Sequence, residues 1–469
     1  MKRWVVTLVG SMLLFACDAA PDEAMLRPTR APVASPTSSD TRVIGLVGTL
    51  TGPDSARGND AWEGADVGVS QLNQDVDPGR PPFELVTLDD RGDPRTATRL
   101  LQELALRDRT VGIIYAGPPE ALPSAEAVLT QTGIPAILCF GDLYSGRLLR
   151  PHIFQASPPY LWQARAISRY LSDDRAYAKT GAIVGRDQSG DIAAASLKAA
   201  ARDQDLTLVI RRYGSASDVA SALKKLRGAR AEAVIFQGSD DAFAEVIEVQ
   251  AERGHDYRDT PRARIGSASR SLRARRIRRG WWHPQILGFD AVIAPGEADL
   301  PPGTLAADSY ARGSHALPVP SFENFQSAFQ GWWGDVALGW EYRGYDAARM
   351  IGWAAQNTRP GDDIARTLES MSGVRFGGLD ITFGPDDHTA VDQTTVGLWA
   401  IPRTGFDLAA TTLRWMPLAR GFSIDGDRTA VMAKDWRFLF RNPPPPDGPA
   451  PRVTRMRYAV NSPRSDTIH

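Results

Sequence analysis

Val43-Ile44-Gly45-Leu46-Val47-Gly48-Thr49-Leu50 is an apolar run interrupted only by two glycines and a threonine. Its length and lack of polar alternation predict a strand buried on both faces, as in a parallel sheet. The period changes immediately downstream, where Ala61 to Gln74 carries its apolar residues at helical spacing. Working outward, Phe83 to Leu88 reads as a strand, and Pro94 to Arg107 as a helix with Asp93 as N-cap and Pro94 at the first helical position. Val111 to Tyr115 is the next strand, Pro123 to Thr132 the next helix, and Pro135 to Cys139 a strand again. The rhythm restarts at Tyr160: helix to Leu171, strand Gly181 to Gly185, helix Asp191 to Arg202, strand Leu206 to Ile210, helix Val219 to Arg227, strand Ala233 to Phe236 and helix Ala242 to Gly254. This alternation predicts two α/β units in tandem, each with a parallel sheet covered on both faces. Ligands of such sheets sit beyond the carboxyl ends of the strands, so a cleft between the units is the expected site.

Bulk properties agree with two lobes. A chain of 469 residues exceeds one ordinary core, and 43% hydrophobic with 23% charged residues marks a globular protein. A formal net charge of −1 gives no support to nucleic-acid binding. The start is different in kind: Lys2 and Arg3 precede the apolar run Trp4 to Phe15, then Ala16 and Cys17. This is the order of a secretory signal peptide, and twelve apolar positions rise only about 18 Å as a helix, short of a hydrocarbon core of about 30 Å. Leu14-Phe15-Ala16-Cys17 resembles the lipobox of bacterial lipoproteins. That resemblance implies that residues 1–16 are removed and that Cys17 is lipidated as a membrane tether; the alternative is an ordinary signal peptide with an incidental cysteine. Asp18 resembles the signal that keeps such proteins on the inner membrane of two-membraned bacteria. Residues 17–40, with Pro21, Pro28, Pro32 and Pro36, read as a linker spanning about 25 Å. A second proline-rich tail, residues 441–469, begins around Pro443-Pro444-Pro445-Pro446. Cys139, the other cysteine, lies among Ile137, Leu138 and Phe140 and reads as a buried thiol.

Several motifs together resemble the type I periplasmic binding proteins of the branched-chain amino acid group. They are Ile44 to Pro53, Gly58, Glu63-Gly64-Ala65, Leu72-Asn73, Asp89-Asp90 with Asp93-Pro94, Gly133-Ile134-Pro135, Tyr345-Asp346-Ala347, and Gly378 to Phe383, all in the family's order. The resemblance implies two Rossmann-like lobes joined by three crossovers, near Gln155 to Ser157, Leu305 to Tyr310 and Gly377 to Phe383. The first lobe is then residues 41–156 plus 308–376, and the second 157–307 plus 377–440. It also implies an extracytoplasmic solute-binding protein that delivers a small polar ligand, amino-acid-like, amide or amine, to ABC permease subunits, with no cofactor.

The same resemblance points to a pocket and to where this chain departs from it. Hydroxyl residues that grip a ligand carboxylate in amino-acid binders correspond here to Pro119 or Glu120 and to Asp142, and the acid beyond the first crossover corresponds to Tyr160. Aromatic positions of the second lobe appear as Ser189 or Gln188 and as Ser239. Arg57 lies in the loop before the first helix, and Asp290 stands where the family can carry a ligand-pairing acid. A desolvated cleft holding Glu120, Asp142 and Asp290 would repel a free carboxylate and favour a cation, amine or polyol. The alternative for each is structural: Asp142 capping a turn with Gly141, Glu120 in a first helical turn, Arg57 in solvent.

Residues 262–279 contain eight arginines and no acid, followed by Trp281-Trp282-His283, which reads either as an arm for anionic surfaces or as a solvated segment. Trp332-Trp333, Trp340, Tyr342 and Tyr345 read as core. The six histidines fall in no metal-ligand spacing, and neither Gly-x-Ser-x-Gly nor a Walker loop occurs, so binding without catalysis is expected. A rival function for the same fold is a sensory or protein-interaction lipoprotein that regulates an envelope partner.

Overall fold

A computed structural model describes residues 41–52, 54–75, 80–144, 150–239, 242–243, 245–246, 282, 284–289, 305–309, 320–334, 337, 340–359, 361–377, 381–391 and 396–400. Cys17 and the leader, most of the helix expected over Ala242 to Gly254, the arginine-rich stretch 262–279, Asp290, Gly378 to Asp380 and the tail 441–469 lie outside the described residues.

The opening apolar run forms β1 (Arg42–Gly48), followed by α1 (Ser55–Asp75), β2 (Phe83–Asp89), α2 (Pro94–Leu106), β3 (Thr110–Ala116), α3 (Ala121–Thr132), β4 (Ala136–Leu138) and β5 (Ile153–Gln155). These strands make one parallel sheet in the order β2-β1-β3-β4-β5. The chain continues through α4 (Tyr160–Arg169), a π-helical turn (Tyr170–Asp174), β6 (Lys179–Gly185), α5 (Gln188–Asp203), β7 (Thr207–Tyr213), α6 (Ala216–Gly228), β8 (Ala233–Gln237), β9 (Gln285–Gly288) and β10 (Leu305–Ser309). Then come α7 (Pro320–Trp333), α8 (Glu341–Asn357), α9 (Ile364–Glu369) and β11 (Val396–Ala400). The second sheet has the order β11-β10-β9-β8-β6-β7 and is parallel except where β11 runs against β10.

β1 is buried on both faces, as its composition requires. Ile44 and Leu46 join the core beneath α1 and α8, while Val47 joins the core beneath α2 and α3. Each fully buried side chain of this size contributes about 1.5–3 kcal/mol. Glycine sets the α1–α8 contact: a Cβ on Gly64 would land on the Glu341 carbonyl oxygen, and one on Gly344 on that of Ala61. Burial pushes the Cys139 thiol up to about 12, despite the nearby Arg343 charge. Trp340, Tyr342 and Tyr345 are core residues. Among the described residues, no helix is long and apolar enough to cross a membrane.

Local chemistry explains most element boundaries. Asp93 Oδ2 accepts from the Thr96 amide at 2.9 Å and starts α2 at Pro94. α1 begins six residues before its apolar periodicity, because its first turn, with Arg57, faces the space between the sheets rather than core. The final passage between sheets also differs from the expected Gly377 to Phe383. Residues 388–390 lie along β5, with Gln155 N–H donating to His388 O at 2.9 Å and Ala390 N–H to Gln155 O at 2.8 Å. The His388 ring is stacked on Phe154 at 4.2 Å, and Phe383 packs edge-on to the same Phe154. This cluster keeps the chain with the first lobe through Val391, and β11 then enters the second sheet at Val396.

Candidate functional site

A cavity of about 530 Å³ opens between the two sheets. Its first wall is Thr49 beyond β1, Gly92 beyond β2, Gly117 to Glu120 beyond β3 and Gly141 beyond β4. The second wall is Gly185 to Asp187 at the end of β6, Tyr213 and Gly214 at the end of β7, Gln237 to Ser239 at the end of β8, and Phe289 beyond β9. These residues lie at or beyond carboxyl ends of parallel strands, where α/β sheets place ligands.

Of the residues singled out from sequence, Arg57, Glu120, Tyr160 and Ser239 line this cavity, as do Pro119 and Ser189. Arg57 reaches across it: Nη2 donates to Gly238 O at 3.2 Å, and the guanidinium lies 5.7 Å over the Trp340 ring. Gly238 has φ +156°, and a Cβ there would collide with the Tyr213 hydroxyl. That hydroxyl accepts from the Ser239 amide at 3.0 Å, so the β7 and β8 ends are tied under the Arg57 contact. Burial raises the Tyr213 phenol above its ordinary value. Tyr160 is buried and its ring lies 4.9 Å from that of Phe289, joining the floors of the two halves.

Glu120 precedes α3 in a helical conformation but makes no side-chain cap. Burial raises its carboxyl, its own backbone amide partly offsets this, and the Asp187 charge on the other wall raises it further. Asp142 is placed differently. It is buried, with Oδ1 accepting from Tyr144 N–H at 3.0 Å and Gln155 Nε2 at 3.4 Å, and Oδ2 accepting from Tyr160 N–H at 2.7 Å. It thus fixes the start of α4 beneath Tyr160 and is absent from the cavity lining. Gln188 is exposed and also outside the lining, whereas Asp290 lies outside the described residues.

Sequence reasoning did not select Asp187, Tyr213 or Gln237. Asp187 Oδ1 accepts from Gly190 N–H at 2.6 Å and caps α5, and Gln237 Oε1 accepts from Gly185 N–H at 3.3 Å. Their signal was position alone, each standing where a predicted strand ends. The Asp89-Asp90 motif is structural. Against the effect of burial, hydrogen bonds from Thr51, Leu50 and Arg91 hold Asp89 below the usual carboxylate range. Asp90 is fully buried and raised by desolvation; Oδ1 accepts from Thr49 Oγ1 and Gly92 N–H, both at 2.8 Å, while Oδ2 has no hydrogen-bond partner. Away from the cavity, Asp60, Glu63 and Glu341 bring carboxylate oxygens within 4.8 Å of one another, and each has further partners.

Residues 41–274 match the family model described as periplasmic binding protein. Together with the two-lobed fold, this match assigns the chain to the periplasmic binding protein family, with the type I architecture. Solved structures share the architecture. A possible leucine/isoleucine/valine-binding protein from Rhodopirellula baltica has a TM-score of 0.60 at 18% identity, with 78% of this chain and 96% of that one covered. The branched-chain amino acid transporter substrate-binding protein LivJ from Streptococcus pneumoniae, solved with isoleucine, gives 0.61 at 16% identity, covering 77% and 96%. A periplasmic binding protein type 1 from Bordetella pertussis gives 0.62 at 18%, covering 81% and 100%. At these identities the likeness concerns the fold.

Proposed function

We propose that this protein is an extracytoplasmic solute-binding protein, lipid-anchored at Cys17, that captures a small polar ligand between its lobes and hands it to an ABC permease. The observation that carries this reading is the cavity of about 530 Å³ lined from both sheets, a volume within the range of small-molecule sites. Ligand contacts to both walls would stabilise the closed arrangement, and a permease would read closure. Arg57, Glu120, Tyr160 and Ser239 are the proposed ligand-facing residues; Pro119 and the glycines shape the wall. No chemical step is required of any of them, and the reading is binding without catalysis.

The experiment is a thermal-shift screen of the purified protein against amino acids, amides, amines, sugars and nucleosides. A specific ligand at 100 times its dissociation constant adds about 2.7 kcal/mol of stability. A saturable rise in Tm supports the reading, and no response to any compound contradicts it. The anchor is tested separately: Cys17→Ser should release the protein from the membrane fraction or leave the precursor uncut, and an unchanged membrane fraction refutes it.

A further inference from the structure

We propose that the cavity takes a cationic amine, whose ammonium group sits between Glu120 of the first lobe and Asp187 of the second. The inference rests on the solute-binding reading and names its ligand class.

The charge inventory of the cavity carries it. Glu120, half-buried, and Asp187, exposed at its mouth, lie on opposite walls of one open cleft. Glu120 is bonded by its own backbone amide and Asp187 by the Gly190 amide, and neither has an ion-pair partner among the described residues. The two arginines of the lining are engaged elsewhere. Arg57 is held on the Gly238 carbonyl and over Trp340, and Arg186 lies beside Asp218 of α6, on whose carboxyl it acts. Glu120 and Asp187 are thus left without a basic partner among the described residues, while Arg57 and Arg186 already have contacts of their own.

The loop beyond β3 is poor in donors for the opposite polarity. A ligand carboxylate needs N–H or O–H donors, yet the loop beyond β3 offers Pro118 and Pro119, which have no N–H, and then Glu120, whose amide is turned to its own carboxylate. Behind this loop, Gly117 covers the unpartnered Oδ2 of the buried Asp90, a further acidic group on the same side. Aromatic rings of Tyr160, Tyr213 and Phe289 provide surface for the carbon chain and for cation–π contact. With the cavity empty, closing brings two carboxylates toward each other. A cation between them converts that repulsion into attraction to both walls, so binding and closure are coupled.

The test is calorimetric titration and thermal shift of the purified protein with propylamine, putrescine and leucine, on wild type, Glu120→Gln and Asp187→Asn. Asparagine caps a helix as well as aspartate, so Asp187→Asn removes charge while retaining the start of α5. Circular dichroism and unfolding midpoints establish that both variants fold. The expected result is saturable binding of at least one amine to wild type, tenfold or more weakening in each variant, and no response to leucine. Amine binding unaffected by both substitutions overturns the proposal. Leucine binding without amine binding overturns it too, while the solute-binding reading stands. Silence to all three probes overturns the amine assignment, and that reading falls as well only if the wider screen is also silent.

Discussion

The loops beyond β3 and β4 sit side by side in the first sheet, and each carries an acid, Glu120 and Asp142. Their fates diverge. Asp142, beyond β4, accepts from the amides of Tyr144 and Tyr160 and from Gln155, so it is part of the frame. Glu120, beyond β3, follows two prolines, caps nothing and faces the cavity. The two acids differ in the donors around them: Asp142 accepts from three groups, whereas Glu120 meets only its own amide. Loop composition, more than residue type, separates frame from site.

The sharpest way to break this contrast is Asp142→Ala. It strips the acceptor from the buried Tyr160 amide and the part-buried Tyr144 amide, while Gln155 Nε2 keeps Ser157 O, with an expected loss of about 2 kcal/mol in urea unfolding. Asp142→Asn should lose less, because one oxygen can still accept. If Asp142→Ala were neutral in stability yet abolished ligand binding, the two loops would share one role. A smaller effect is expected for Arg57→Ala. Losing the donation to Gly238 O should cost about 1 kcal/mol, a roughly fivefold shift toward the open form, read as an increased radius of gyration in small-angle scattering.

Glu120→Gln should change the unliganded stability least, by well under 1 kcal/mol, and in the opposite direction to Asp142→Ala. The sign follows from its raised carboxyl. Such a group favours the fold when protonated, a contribution fully present below its unfolded pKa and lost as pH rises through the folded one. At neutral pH the ionised Glu120 is a small penalty that glutamine removes, so the variant should unfold at slightly higher urea. The gain should vanish in acid. A loss of stability at pH 7 would mean that Glu120 has a stabilising partner.

Much of the fold was legible because β1 to β3 and β6 to β8 are long enough to show their burial, and the Asp93-Pro94 start of α2 is encoded within four residues. Ile153-Phe154-Gln155 was not legible as β5: three residues carry no period, and the strand exists because β4 and residues 388–390 flank it. His388 was equally silent, although its stacking on Phe154 helps fix where the last passage occurs. In the site, Glu120, Tyr160 and Ser239 were found through the resemblance to the family's pocket positions. Asp142 occupies an equivalent sequence position, but three hydrogen bonds drawn from residues 144, 155 and 160 decide its role, and sequence spacing does not reveal them. Asp187 was not selected because it pairs with nothing in sequence; the fold sets it, on the second lobe, across the cavity from Glu120 of the first.

The most direct measurement is native mass spectrometry of the protein isolated from the extracytoplasmic fraction of its own cells, before and after mild denaturation. A solute held between the lobes should appear as one small molecule per chain, released on unfolding and depleted in Glu120→Gln. A chain that carries no small molecule and gains none from a cell extract would contradict solute binding in this cleft.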